Sequence, residues 1–200
     1  MSERNAGPIG IGLGVVLLGA VAAFGIALPK ATGDDEADAA PSTTITLPDE
    51  LPHGLVAQDT EGGEIAARYQ SGQDAAVDEF EEIYPEPAAV RGYANADGSI
   101  QVTITTLGRA PGLFNPHGPP VDPEPLGYER WIYELRRVDD TVCDLFWQEP
   151  VQQGQPVDSG AAPASIQCQQ EDGDRTDQLF GQGLTLDQAV DVLDAVAQDQ

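Results

Sequence analysis

Ile9 to Leu28 is an unbroken run of 20 apolar or glycine residues, bracketed by Pro8 and Pro29. A helix rises about 1.5 Å per residue, so the run spans roughly 30 Å, the thickness of a bilayer's hydrocarbon core. In lipid every backbone N–H and C=O must be satisfied within the segment, which makes a helix the conformation of a single span. The sequence predicts a short cytoplasmic tail over 1–8 and a transmembrane helix over 9–28, with the lipid bilayer as the first partner.

Arg4 before the run and Lys30 after it nearly balance, so positive-inside counting gives no orientation. Two other features do. The tail is too short to hold a domain. Residues 31–200 carry 7 Lys and Arg against 33 Asp and Glu, a net −26, which an anionic cytoplasmic leaflet repels. The expected arrangement is a single-pass cell-membrane protein, N-terminus inside and the C-terminal domain outside. Ala20-Val21-Ala22 resembles a signal-peptidase site, which leaves cleavage as the alternative. The weakly basic start and the continuation of the run to Leu28 favour an uncleaved anchor. No cysteine lies near residue 30, which excludes a lipoprotein. Gly10-x-Gly12-x-Gly14 sits inside the apolar run with no strand before it, so it is not a nucleotide loop. Gly10 and Gly14 form a small-xxx-small pair at which two anchors can approach, although glycine is common in membrane helices without that role.

Residues 29–44 are small, acidic and proline-punctuated, and read as a flexible linker. Their carboxylates, Asp34, Asp35, Glu36 and Asp38, read as a solvated charge run rather than a cation site. Residues 45–200 suit one extracytoplasmic domain. Its composition turns apolar at Ile45-Thr46-Leu47-Pro48-Asp49-Glu50-Leu51-Pro52. LPDELPHGLVA, a helix-like stretch ending in IYPEP, then AAVRGYA and PGLF resemble an uncharacterised group of actinobacterial single-pass membrane proteins. The likeness covers residues 1–115. It implies an envelope location and transfers neither a function nor a functional residue.

Cys143 and Cys168 are the only cysteines, and outside the cytoplasm they are expected to pair. The 24 intervening residues and the lack of a CxxC argue against a redox or metal pair. Net charge −25 excludes a nucleic-acid partner, because phosphate binding needs clustered Lys and Arg.

Ile65, Tyr69, Ala76, Phe80, and Ile83 or Tyr84 recur at helical spacing over 63–84. Gly72 makes this either one weakened helix or two, with Ser71 capping the second. Pro85 and Pro87 end it. Ala89–Ala94 and Ser99–Leu107 form a hairpin around Asn95-Ala96-Asp97-Gly98, with Ile100, Val102 and Ile104 alternating against Gln101, Thr103 and Thr105. Arg130–Arg137 with Thr141–Trp147, and Ser165–Gln170 with Thr176–Phe180, form two more. In the second hairpin a three-residue loop at 138–140, with Asp140 left-handed, sets Leu135 opposite Cys143, Tyr133 opposite Leu145 and Trp131 opposite Trp147. All six then face one core, with Glu134, Arg136 and Asp144 on the other face. Thr185 and Gln188 form a capping box, and Leu186, Ala189, Val190, Leu193 and Ala197 make one stripe of a last helix.

Residues 111–125, PGLFNPHGPPVDPEP, hold six prolines and are neither helix nor central strand. The loop either tucks its apolar side chains onto the core or docks a partner. The candidate docking residues are Leu113, Phe114, Pro116 and His117.

Chemistry beyond this is sparse. His53 and His117, the only histidines, lie in turn-like sequence without a catalytic motif, and G-x-S-x-G, H-E-x-x-H and S-x-x-K are absent. Asp172 to Gly183 fails as a calcium loop, because Asp177 stands where glycine is needed and Gly183 where glutamate is needed. No metal, cofactor or catalytic residue is expected.

The fold expected is α+β: the anchor, then an antiparallel sheet of five or six strands covered on one face by both helical regions. The function expected is non-enzymatic, a tethered binding or accessory module of the cell envelope. The alternatives are a ligand-sensing domain acting through a membrane partner and, third, a hydrolase.

Overall fold

A computed structural model describes residues 45–200 except Glu61, Pro85, Pro111, Pro119 and Gln200. The expected tail, anchor and linker lie outside the described residues. Among those described, no helix is long and apolar enough to cross a membrane.

The fold is α+β, with an antiparallel sheet packed against two helices. Ten strands form: β1 (Glu50–Leu51), β2 (Leu55–Ala57), β3 (Ala88–Ala94), β4 (Gln101–Leu107), β5 (Tyr128–Arg130), β6 (Tyr133–Val138), β7 (Thr141–Phe146), β8 (Val151–Gln152), β9 (Ser165–Asp172) and β10 (Arg175–Gln182). Helix α1 spans Glu64–Ile83 and α2 spans Leu186–Gln198. Eight strands make the main sheet in the order β1-β2-β3-β4-β10-β9-β7-β6, and β5 pairs with β8 separately. The six expected strands are all present. The short β1 and β2 extend the sheet past β3, built from Leu51, Leu55 and Ala57, which are too few residues for a periodic signal.

Alternation divides the sheet into two faces. The core face carries Tyr93, Val102, Ile104, Leu179, Ile166, Cys168, Cys143 and Leu145, covered by Leu184 and by Ala189, Val192, Leu193 and Val196 of α2. Helix α2 starts as expected: Thr185 Oγ1 accepts from the Gln188 backbone N–H, and the Gln188 side chain accepts from Thr185 N–H. Val192 and Val196 join the expected stripe, while Val190 and Ala197 are only half-buried.

Helix α1 is a single helix through Gly72, and among its residues only Ala66 is buried. It packs on β3, and its Tyr69 and Tyr84 border cavities over the second face of the sheet. The two helices therefore flank opposite faces, not one. The pattern in α1 is correct as a period but weak as a core signal, since Ile65 and Ile83 stay exposed.

The first hairpin forms around the expected turn, with Ala94 opposite Gln101 and Gly98 at φ 71°; its second strand starts at Gln101 rather than Ser99. The third closes tightly, Asp172 opposite Arg175, around Gly173 and Asp174. Arg175 pairs with Asp172 and Asp177, so its single positive charge is shared by two carboxylates of this acidic turn.

The second hairpin contradicts its expected register. A two-residue turn at Asp139-Asp140 pairs Val138 with Thr141, Leu135 with Asp144, Arg136 with Cys143 and Tyr133 with Phe146. Asp139, not Asp140, takes positive φ, 48°. The reason is position. β6 is the edge strand, so Glu134 and Arg136 reach water at the rim of the core face and pair with each other. Tyr133 instead packs on Phe146 on the second face, their rings 5.3 Å apart. Leu135 remains 39% exposed. Trp147 is buried, with Arg130 3.5 Å above its ring, whereas Trp131 stacks on Tyr128 outside the core cluster.

Cys143 and Cys168 face each other across β7 and β9, Cα atoms 4.0 Å apart, and form the expected disulfide. Tyr93 is fully buried and its hydroxyl donates to Pro48 O at 2.9 Å. Burial raises its pKa above the ordinary tyrosine value, with the neighbouring Arg91 charge opposing. A raised folded-state pKa gives stability that is present below about pH 10 and is lost as pH rises beyond it. Stability should thus fall above about pH 10, and less steeply in Tyr93→Phe, which forfeits about 1 kcal/mol at neutral pH with its hydrogen bond. Urea midpoints at pH 8 and 11 check this. An equal alkaline decline in both proteins refutes it.

Candidate functional site

The second face of the sheet is where the chain leaves polar surface uncovered. The segment after β4 crosses it as a strap. Thr176 Oγ1 donates to Arg109 O at 2.9 Å, Gln169 Nε2 donates to Gly112 O at 3.2 Å, and Gly118 lies against the ring of Tyr133. The strap thus runs from β4 past β10 and β9 to β6.

Its main fastening is His117. The His117 backbone N–H and ring Nδ1 both meet Asp144 Oδ2 at 2.9 Å. Asp144 is 2% exposed, while the imidazole is half-exposed. Asp144 reaches this face by alternation along β7, between the core residues Cys143 and Leu145. Of the other candidate docking residues, Phe114 and Pro116 are half-buried, and Leu113 stands 97% exposed. The loop therefore combines both readings, seated through His117 and displaying Leu113.

Beside the strap the floor is made by three adjacent interior strands. β4 offers Gln101, Thr103 and Thr105 to it. β10 offers Gln178, Phe180 and Gln182, and β9 offers Ser165, Gln167 and Gln169. None of these nine positions is charged, in a chain with 34 acidic residues. Phe180 is 45% exposed and separates two cavities. One, about 250 Å³, is lined by His117, Tyr133, Phe146, Ser165 and Phe180. The other, about 270 Å³, reaches Gln58 and Tyr69 and shares Phe180. Together they make a groove across the strands between α1 and the strap. The Gln, Thr and Ser positions were visible in the sequence as the polar half of each alternation. What hid the groove was the strap's path, which no period encodes.

Ser165, His117 and Asp144 are the residue types of a hydroxyl-nucleophile triad. In a triad the hydroxyl hydrogen-bonds the imidazole nitrogen opposite the carboxylate. His117 and Ser165 line the same cavity, and among the described hydrogen bonds none joins them. His53 is remote from the groove, beside Asp191 of α2 at 3.3 Å. Among the described residues no three His, Cys, Asp or Glu side chains gather as a metal site.

No family model matches the chain, no curated protein matches it, and no solved structure matches its fold.

Proposed function

We propose that this protein is a membrane-anchored, extracytoplasmic binding module of the cell envelope, with residues 9–28 as its tether and the groove beside the strap as its binding surface. The observation that carries the reading is the groove itself: an uncharged, partly aromatic trough on an otherwise strongly acidic domain. A solvated sheet face has no need to shed charge, and an acidic protein gains solubility from carrying it. Concave surfaces with a few convergent polar groups around aromatic walls are the usual form of ligand sites. The role proposed is binding rather than turnover.

Two measurements test the two halves of the reading. Protease added to wall-stripped cells should digest residues 31–200 and leave the N-terminus in the membrane; a mature N-terminus near Ala23 refutes the tether. A photoreactive side chain at position 182, in the groove, should yield crosslinked adducts in native membranes. The same group at Asp187, exposed on α2, should not. Equal yields from both positions refute the groove.

A further inference from the structure

We infer that the groove takes a neutral glycan, a chain of uncharged, hydroxyl-bearing sugar rings lying across the strands and over Phe180. This inference rests on the groove being a binding site and names what fills it.

Charge comes first. An anionic chain is repelled by a protein of net −25. A cationic one finds no free carboxylate in either cavity, because Asp144 is engaged by His117 and Glu171, on the same face of β9, lines neither. Burying either against the uncharged floor would leave an unpaired charge.

Hydrogen bonding narrows the class further. Each glutamine amide both donates and accepts, as each sugar hydroxyl does. Gln58, Gln101 and Gln182 line the cavity on one side of Phe180, while Gln178 Nε2 donates to Gln169 Oε1 at 3.1 Å beneath the strap. β4, β10 and β9 are interior strands whose ladders are paired on both sides, so no free edge exists to capture a peptide as an added strand. Recognition here must come from side chains.

Shape completes the argument. Phe180 and Tyr69 present exposed ring surface, suited to the C–H faces of a sugar ring. The cavities on either side of Phe180 are about 250 and 270 Å³. Each falls below the roughly 300–1,000 Å³ of a site that encloses a whole drug-sized ligand. Each therefore accepts part of a ligand, and a ligand filling both must pass over the Phe180 ring, as a chain does.

The test uses the full chain in nanodiscs of zwitterionic lipid, free of sugar headgroups. The probes are hexasaccharides of glucose, mannose and N-acetylglucosamine, with hexagalacturonate and an uncharged hexapeptide as comparisons. Binding is read by NMR from the side-chain amides of Gln101, Gln178 and Gln182 and by calorimetry. The expected result is saturable binding of at least one neutral hexasaccharide that shifts these amides, no binding of hexagalacturonate, and about tenfold weaker binding by Phe180→Ala at unchanged Tm. Silence from every neutral hexasaccharide overturns the inference, as does affinity unchanged in Phe180→Ala. Groove-dependent binding of the hexapeptide alone overturns the glycan and leaves the groove a binding site. Silence from all probes together with equal crosslinking from position 182 and Asp187 overturns both readings.

Discussion

Replacing Arg91 with methionine should destabilise the domain by about 3–5 kcal/mol, the usual cost of removing one partner from a buried ion pair. Arg91 lies on β3, mostly buried, and uses every arm of its guanidinium. Nε and Nη2 donate to Asp59, Nη2 also to Asp49, and Nη1 to Leu47 O and Pro48 O. One side chain thus fastens the start of the folded region, the segment after β2 and the third strand. Methionine fills much of the same volume but leaves the Asp59 carboxylate buried without its cation. Adding Asp59→Leu to Arg91→Met should recover part of the loss, because the stranded charge goes with it. Urea unfolding of the two single variants and the double variant measures this. A loss below about 1 kcal/mol in Arg91→Met would show that the guanidinium only decorates the surface.

Cys143→Ala or Cys168→Ala should lower stability by about 2–5 kcal/mol, the range for native disulfides in small secreted domains. The sequence separation of 25 corresponds to about 3.5 kcal/mol in the chain-entropy description. For a domain of this size that is a fall in Tm of roughly 10 °C. Both half-cystines are buried on the core floor beneath α2, so a reductant should act only through unfolding. Reduction by dithiothreitol should therefore proceed at the unfolding rate measured by far-UV circular dichroism. Fast reduction of the folded protein, or an unchanged Tm after either substitution, would falsify this account.

The parts of the fold that read directly from the chain are those decided locally. Asn95 to Gly98 specifies a turn, Ile100, Val102 and Ile104 specify a face, and Thr185 with Gln188 specifies a helix start. None of these needs knowledge of what lies beyond a few residues. The second hairpin failed for the opposite reason. Aligning Leu135 with Cys143 assumed one apolar core, whereas Tyr133 belongs to a second apolar patch that the strap creates with Phe146 and Gly118. Helix α1 failed likewise: its period is clear, but its side of the sheet is set by contacts with β3 and not by its own pattern. The candidate groove shares this limit. His117 reads as part of a docking loop and Asp144 as a residue of the non-core face, but nothing local in the chain brings the two together. β9 and β10 of the groove floor lie far along the chain from the strap, with 57 positions between Gly112 and its partner Gln169.

The strand order carries a consequence for how the molecule is made. β1 to β4 form one half of the main sheet and β6, β7 and β9 the other, and β10 alone joins them. A chain still being made therefore holds two half-sheets, each with an open strand edge, until residues 175–182 arrive. Such edges pair readily with other chains. Closing the sheet late and over long sequence distances is slow. Any truncation within β10 should leave the two half-sheets unjoined, each with its strand edge open.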